Sequence, residues 1–335
     1  MAFRLHNLIA PLTVCFAALC GGAAHAGPYS DMYVFGDSLS DTGNLFLATG
    51  GAQPPAGQPY FSGRFSDGPL WVEHLATGLG LPAGATPSLL GGNNYAFGGA
   101  RTGTSNAPPG VLAQVAGLWA PTHAVADANA LYVVVGGGND MRDARNTFSG
   151  ASAADDAGRQ AAAQTAVNNL YASLSILASK GAKHVLLSNL PDLGRTPEAF
   201  LLGAQFASSD VSARFSALMV GLEVLAETNL GLDIDLFDLA GLADDVRNDA
   251  LNNGGAVYGI TNATSPCTGF DFSAALGGTS CNVSAFSDAL HPSARLHQIA
   301  GASALALVVP EPGSAWLVLI AVSGLMLQRR RAQRT

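Results

Sequence analysis

Four short stretches of the chain are dense in aliphatic and aromatic side chains: Met32 to Phe35, Leu131 to Val135, Lys183 to Ser188 and Leu232 to Phe237. The first two run straight into glycine. Short apolar runs of this kind are what strands covered on both faces of a parallel sheet require. Between them the apolar spacing changes to three and four residues, which predicts helices over Pro69 to Gly78, opened by Ser66 and Asp67, and over Ala161 to Lys180, closed by Gly181. A third helix is predicted over Val211 to Leu230, where Val211, Phe215, Leu218, Leu222 and Leu225 share a face and Asp210 is the expected cap. A last one spans Ser293 to Val308. Strand and helix alternating along one chain predict an α/β fold, a three-layer α/β/α sandwich with a mainly parallel sheet. No repeat and no linker interrupts residues 28–309, so one domain is expected, with 48–68 and the Gly/Asn/Ser-rich 252–287 as irregular insertions.

The ends do not fit this pattern. In residues 1–26, Arg4 and His6 precede the apolar run Leu8 to Leu19, and Ala24-His25-Ala26 supplies a small-x-small cleavage site, so this segment is expected to be a signal peptide. Lipidation at Cys20 is the alternative, disfavoured by the bulky Leu19 before it. At the other end, Pro310-Glu311-Pro312 leads into an apolar run from Ala315 to Leu327 and then Arg329-Arg330-Arg331. A helix over that run is about 20 Å long against a bilayer core of about 30 Å, a marginal span. A plain anchor with a positive flank fits the charges but not the Pro-Glu-Pro. Residues 310–335 resemble the PEP-CTERM sorting signal of Gram-negative bacteria. That resemblance implies processing by an exosortase-type enzyme, transient inner-membrane anchoring, and delivery to the surface or outside in bacteria that make exopolysaccharide, with which the protein could associate.

The domain expected between the two ends, residues 27–309, holds 11 basic and 23 acidic residues, a net charge of about −12. Such a surface is ill-suited to nucleic acid, since phosphate contacts need Lys and Arg. Its two cysteines, Cys267 and Cys281, are expected to form a disulfide in an oxidising compartment, with two free thiols as the alternative. No CxxC or closely spaced His/Cys cluster suggests a metal. The acids Asp233, Asp235 and Asp238 could suggest calcium, but their alternation fits a strand with one wet face better.

In parallel α/β sheets, reactive groups gather beyond the carboxyl ends of the strands. Ser38 follows the first strand and Asn139-Asp140 follows another through Gly136-Gly137-Gly138, so both are expected at one rim. A serine needs a base to take its proton, and the base needs a third group to fix its tautomer. Of the histidines at 74, 123, 184, 291 and 297, His291 alone has an acid three residues before it, Asp288. The pattern around Ser38 is not a G-x-S-x-G elbow, which disfavours an α/β-hydrolase.

Four blocks then stand in order: Gly36-Asp37-Ser38-Leu39, Asn94-Tyr95-Ala96-Phe97-Gly98-Gly99-Ala100, Gly137-Gly138-Asn139-Asp140 and Asp288-Ala289-Leu290-His291. Together they resemble the GDSL, or SGNH, hydrolase family, and the likeness extends over nearly all of residues 30–305. The resemblance implies a flavodoxin-like SGNH-hydrolase fold and a serine esterase or lipase without metal or organic cofactor. It makes Ser38 the nucleophile, His291 the base and Asp288 its orienting acid. The oxyanion hole would comprise the N–H of Ser38, a glycine N–H and the Asn139 amide; Gly99 is the choice for the glycine, with Gly98 nearly as good. Asp37 and Asp140 are expected to be structural, and the Cys267–Cys281 bridge to steady the loop carrying Asp288 and His291. The expected function is therefore an exported ester hydrolase acting on a small-molecule or lipid ester. An exopolysaccharide O-deacetylase and a non-catalytic matrix-binding protein are the alternatives.

Overall fold

A computed structural model of the chain describes residues 28–55, 60–267 and 279–309. The expected signal peptide (1–26) and sorting segment (310–335) lie outside the described residues. No helix among the described residues is long and apolar enough to cross a membrane.

The four apolar runs are strands β1 (Met32–Phe35), β2 (Leu131–Val134), β3 (His184–Ser188) and β4 (Asp233–Phe237), all parallel and in chain order across one sheet. The Asn93–Tyr95 segment lies along the free edge of β1: Val34 N–H donates to the Asn93 carbonyl at 3.0 Å, and Tyr95 N–H to the Val34 carbonyl at 2.7 Å. Counting that segment as a second strand, the order across the sheet is segment 93–95, β1, β2, β3, β4, the 2-1-3-4-5 order of a flavodoxin-like sheet.

Around the sheet lie α1 (Asn44–Ala48), α2 (Trp71–Leu79), α3 (Val111–Ala113, continued by a π-helical stretch to Trp119), α4 (Gly138–Thr147), α5 (Ala153–Lys180), α6 (Pro197–Leu201), α7 (Gln205–Leu230), α8 (Leu239–Asn252) and α9 (Ala294–Val308). Strand side chains alternate between two cores, as the period of two dictates. Phe35, Tyr132, Val134, Val185 and Leu187 pack with residues of α4, α5 and α7; Met32, Val34, Leu131, Val133 and Leu186 pack with α2 and α9. This is the three-layer sandwich expected.

Helix starts depart from expectation in three places. Helix α2 begins at Trp71, after Leu70, whose N–H donates to Glu73; Ser66 and Asp67, expected to open it, instead bond the Pro292 carbonyl and the Ala294 N–H, because the chain near His291 packs against them. Helix α5 begins eight residues before Ala161, where the Ser152 side chain accepts the Asp155 N–H and Asp155 returns the contact, a capping box. Asp210, expected as a cap, lies inside α7, which begins at Gln205. Its carboxylate instead receives Arg159 of α5 at 2.5 Å and Arg214 at 2.9 Å, so a tertiary ion pair explains the acid. Asp233 and Asp235 belong to β4, at the edge of the sheet, whereas Asp238 caps α8 by accepting the Gly241 N–H at 2.9 Å. The 252–287 insertion contains a small parallel pair, β5 (Asn262–Pro266) and β6 (Ser284–Phe286). Cys267 and Cys281 are bonded there, with Cα atoms 4.8 Å apart. The Cys267 N–H also donates to the Phe286 carbonyl, two residues before Asp288.

Candidate active site

The exit from β1 is held by side chains rather than by the turn alone. Gln114 grips Gly36 at both backbone groups, accepting its N–H and donating to its carbonyl at 2.8 Å each. Gly36 itself is cramped, since a Cβ there would lie 3.1 Å from the Val135 carbonyl oxygen. Asp41 then accepts four backbone N–H groups, those of Gly43, Asn44, Leu45 and Gly98. A buried carboxylate with that many donors fastens the first motif to the second; burial nonetheless leaves its pKa raised.

The consequence is that Ser38, nearly buried, faces a histidine from the far end of the chain. His291 Nε2 lies 2.9 Å from Ser38 Oγ, and His291 Nδ1 lies 2.6 Å from Asp288 Oδ2. Asp288 Oδ1 accepts the N–H groups of Leu290 and His291 at 2.7 and 2.6 Å. Burial would push the Asp288 carboxyl up, but the His291 charge and these hydrogen bonds outweigh it and hold it at about 2. The acid is therefore ionised wherever an imidazole must be held. Tyr60 donates its hydroxyl to the same Oδ2 at 3.0 Å, and the Phe65 ring lies 5.0 Å from that of His291. Both come from the 48–68 insertion.

The other histidines are placed elsewhere. His184 pairs with Asp233 at 2.9 Å, His123 stacks on Trp119, and His74 lies on α2. His297 is buried, with its Nδ1 accepting the Trp71 N–H at 3.2 Å; burial lowers its pKa to about 3 and keeps it neutral.

Ser38, Gly99 and Asn139, the three expected donors, line one cavity. The Ser38 and Gly99 N–H groups have no protein partner among the described residues, whereas the Gly98 N–H is committed to Asp41 at 2.7 Å. That commitment leaves Gly99, the glycine chosen from sequence, with its N–H facing no acceptor among the described residues. Gly99 has φ +76°, and a Cβ at Gly98 would collide with Phe65, so each position needs glycine for its own reason. Asn139, in the first turn of α4, donates one Nδ2 hydrogen to the Ala100 carbonyl at 2.9 Å, leaving its second hydrogen. Asp140 supports this corner by accepting the N–H and hydroxyl of Thr102 at 2.9 and 2.8 Å.

Two cavities meet at Ser38, Asn139, Arg142 and His291. One, of about 350 Å³, contains Gly98, Gly99, Phe65 and Arg101. The other, of about 120 Å³, is apolar and lined by Leu39, Leu190, Leu239, Val246, Leu290 and Leu296 among others. The Asp67 carboxylate lies close to the sulfurs of Cys267 and Cys281, but once bonded to each other these offer a cation no thiolate.

Asp37 is buried and accepts one N–H, from Leu39, at 3.0 Å. Burial pushes its carboxyl up to about 6. A raised acid is disfavoured in its charged form, so it costs the fold stability as pH rises from about 4 through 6, approaching about 3 kcal/mol above that. Asp37→Asn is accordingly expected to raise Tm relative to the parent protein at pH 7.5 more than at pH 4.5. Equal differences at both pH values would contradict the buried, raised carboxyl.

The profile of the GDSL-like Lipase/Acylhydrolase family matches residues 32–303. The chain belongs to this family. It is 30% identical over 322 residues to the phosphatidylcholine-sterol acyltransferase of Aeromonas hydrophila, covering 89% of this chain and 83% of that one. Esterase EstA of Pseudomonas aeruginosa is 28% identical over 275 residues, covering 70% of this chain, which spans only 40% of EstA. Among solved structures, a carbohydrate acetylesterase from Sinorhizobium meliloti aligns over 82% of this chain and 96% of its own, at 16% identity and a TM-score of 0.43. The family comprises esterases, lipases and acyltransferases, and this chain is an ester-bond hydrolase of that kind.

Proposed function

We propose that the protein is an exported carboxylic ester hydrolase that forms an acyl-enzyme on Ser38. The observation that carries this reading is the continuous contact from Asp288 Oδ2 through both His291 nitrogens to Ser38 Oγ, at 2.6 and 2.9 Å. In the first step Ser38 Oγ attacks the ester carbonyl carbon while His291 Nε2 takes its proton. Asp288 holds the imidazolium, and the negative oxygen is received by the N–H groups of Ser38 and Gly99 and by the Asn139 amide. The C–O bond breaks as His291 returns the proton to the departing alcohol. Water then attacks the acyl group by the same route, with His291 again the base, and frees the acid and Ser38.

The apolar cavity beside Ser38 supports an acyl chain of several carbons in preference to acetyl. If octanoate buries only two more methylenes than acetate, at about 0.8 kcal/mol each, kcat/KM should rise about tenfold or more. The test is a panel of p-nitrophenyl acetate, p-nitrophenyl octanoate and acetylated polysaccharide, with fluorophosphonate labelling beside it. Preference for the polysaccharide would replace this reading with O-deacetylation, and absence of both labelling and turnover would favour a matrix-binding role. Acyl transfer to an alcohol in place of water is a second reading, favoured by the Aeromonas acyltransferase; acceptor ester formed in competition with free acid would reveal it.

Export rests on residues 1–26, on the Pro-Glu-Pro and arginine cluster of residues 310–335, and on a cysteine pair suited to an oxidising compartment. Surface or extracellular delivery through an exosortase-type enzyme, in a cell that makes exopolysaccharide, is part of the proposal.

A further inference from the structure

Asn139 sits in the site through an amide whose two ends are chemically opposite, so its usefulness depends on which end faces the substrate. The orientation is set by its surroundings. Ala100 presents a carbonyl, which only the Nδ2 hydrogens can meet, at 2.9 Å. Arg142, one turn further along α4, presents a guanidinium, which only Oδ1 can meet, at 3.2 Å. A flipped amide would face acceptor with acceptor at one end and donor with donor at the other.

Arg142 is in turn immobilised by Glu198. Arg142 Nε and Nη2 reach the two Glu198 oxygens at 3.1 and 2.5 Å, a forked contact that a planar guanidinium suits. Arg145, fully buried, donates to the same carboxylate at 2.5 Å. The Glu198 backbone N–H donates to the Ala289 carbonyl at 2.7 Å, between Asp288 and His291. One residue of α6 thus touches both the loop carrying the base and the cation that orients the oxyanion donor.

We infer that Arg142, held by Glu198, is a positioning residue that fixes the Asn139 amide with its N–H toward the developing oxyanion. This rests on the acyl-enzyme reading above, since it assigns a function to an oxyanion donor. Arg142 lines the cavities beside Ser38, but its hydrogen bonds go to Glu198 and Asn139 and not to Ser38, His291 or Asp288; it acts by excluding the amide orientation that would turn an oxygen toward negative charge.

A double-mutant cycle on p-nitrophenyl octanoate hydrolysis tests it. Arg142→Met should lower kcat roughly 10- to 100-fold, the range of one hydrogen bond to a charged group, with KM changed less than about threefold. Asn139→Ala should lower kcat about 10²- to 10³-fold. In the Asn139→Ala background Arg142→Met should cost less than about twofold, because no amide remains to orient. A purely structural Arg142 would cost the same factor in both backgrounds, and that result overturns the inference. If Arg142→Met fails to fold, Arg142→Lys keeps a cation beside Glu198 but cannot fork, and the same background dependence is required of it. Parent protein that neither turns over the ester nor labels with fluorophosphonate would sink the acyl-enzyme reading; active parent protein with an additive cycle sinks only the assignment of Arg142.

Discussion

Ser38→Ala is expected to lower kcat on p-nitrophenyl octanoate by on the order of 10⁶-fold, abolish fluorophosphonate labelling, and leave Tm essentially unchanged. The size follows from what the oxygen does. Without Oγ no acyl-enzyme can form, and the remaining rate is what oriented binding and oxyanion donors provide to direct attack by water. The small stability effect follows from how little the hydroxyl holds: its hydrogen bond is to His291 Nε2, and the turn is fixed by Gln114 and Asp41 instead. Activity within tenfold of the parent protein would place the nucleophile elsewhere.

What could be read from the chain in advance, and what could not, divides by the range of the forces involved. The four sheet strands were accessible because a strand covered on both faces must be continuously apolar, and local composition alone declares it. The end of α5 at Gly181 and the cap of α9 at Ser293 are equally local signals, each satisfied by groups within a few residues. Helix α4 escaped because its ten residues, GNDMRDARNT, carry no apolar period; Met141, Ala144 and Arg145 are its buried positions, and it is held by what it packs against. Asp210 misled for a related reason. An acid near a helix start is a reasonable cap until a guanidinium 51 residues away claims it.

The same division runs through the site. The contact among Ser38, His291 and Asp288 was legible because four ordered blocks carry them, whereas Gly99 was preferred over Gly98 without the partner, Asp41, that takes the Gly98 N–H and that block spacing cannot reveal. Tyr60 and Glu198 gave no signal at all. Tyr60 reaches Asp288 across 228 residues, and Glu198 reaches Arg142 across 56. Residues that act on the reacting atoms belong to short motifs, whereas those that orient them can come from any element the fold brings near. A site read from motifs therefore lacks its supporting contacts, and with them the reason its donors point the right way.

Asp288→Asn is expected to lower kcat about 10⁴-fold with folding intact, and the tautomer of His291 is the reason. Asp288 Oδ1 receives two backbone N–H groups, from Leu290 and His291, so an asparagine there must turn its own oxygen to them. Its NH2 then faces His291 Nδ1, where Oδ2 had accepted. Nδ1 can accept that hydrogen only if it carries none of its own, which moves the ring proton to Nε2, the nitrogen 2.9 Å from Ser38 Oγ. A protonated Nε2 donates to the serine and cannot take its proton, so the base is disabled while every heavy atom keeps its place. The discriminating measurement is the rate of fluorophosphonate labelling against Tm. Slow labelling by protein that still melts cooperatively above the assay temperature, at a Tm lowered by loss of the depressed Asp288 carboxylate, fits a tautomer defect, and a rate near that of the parent protein would mean that Asp288 does not orient His291.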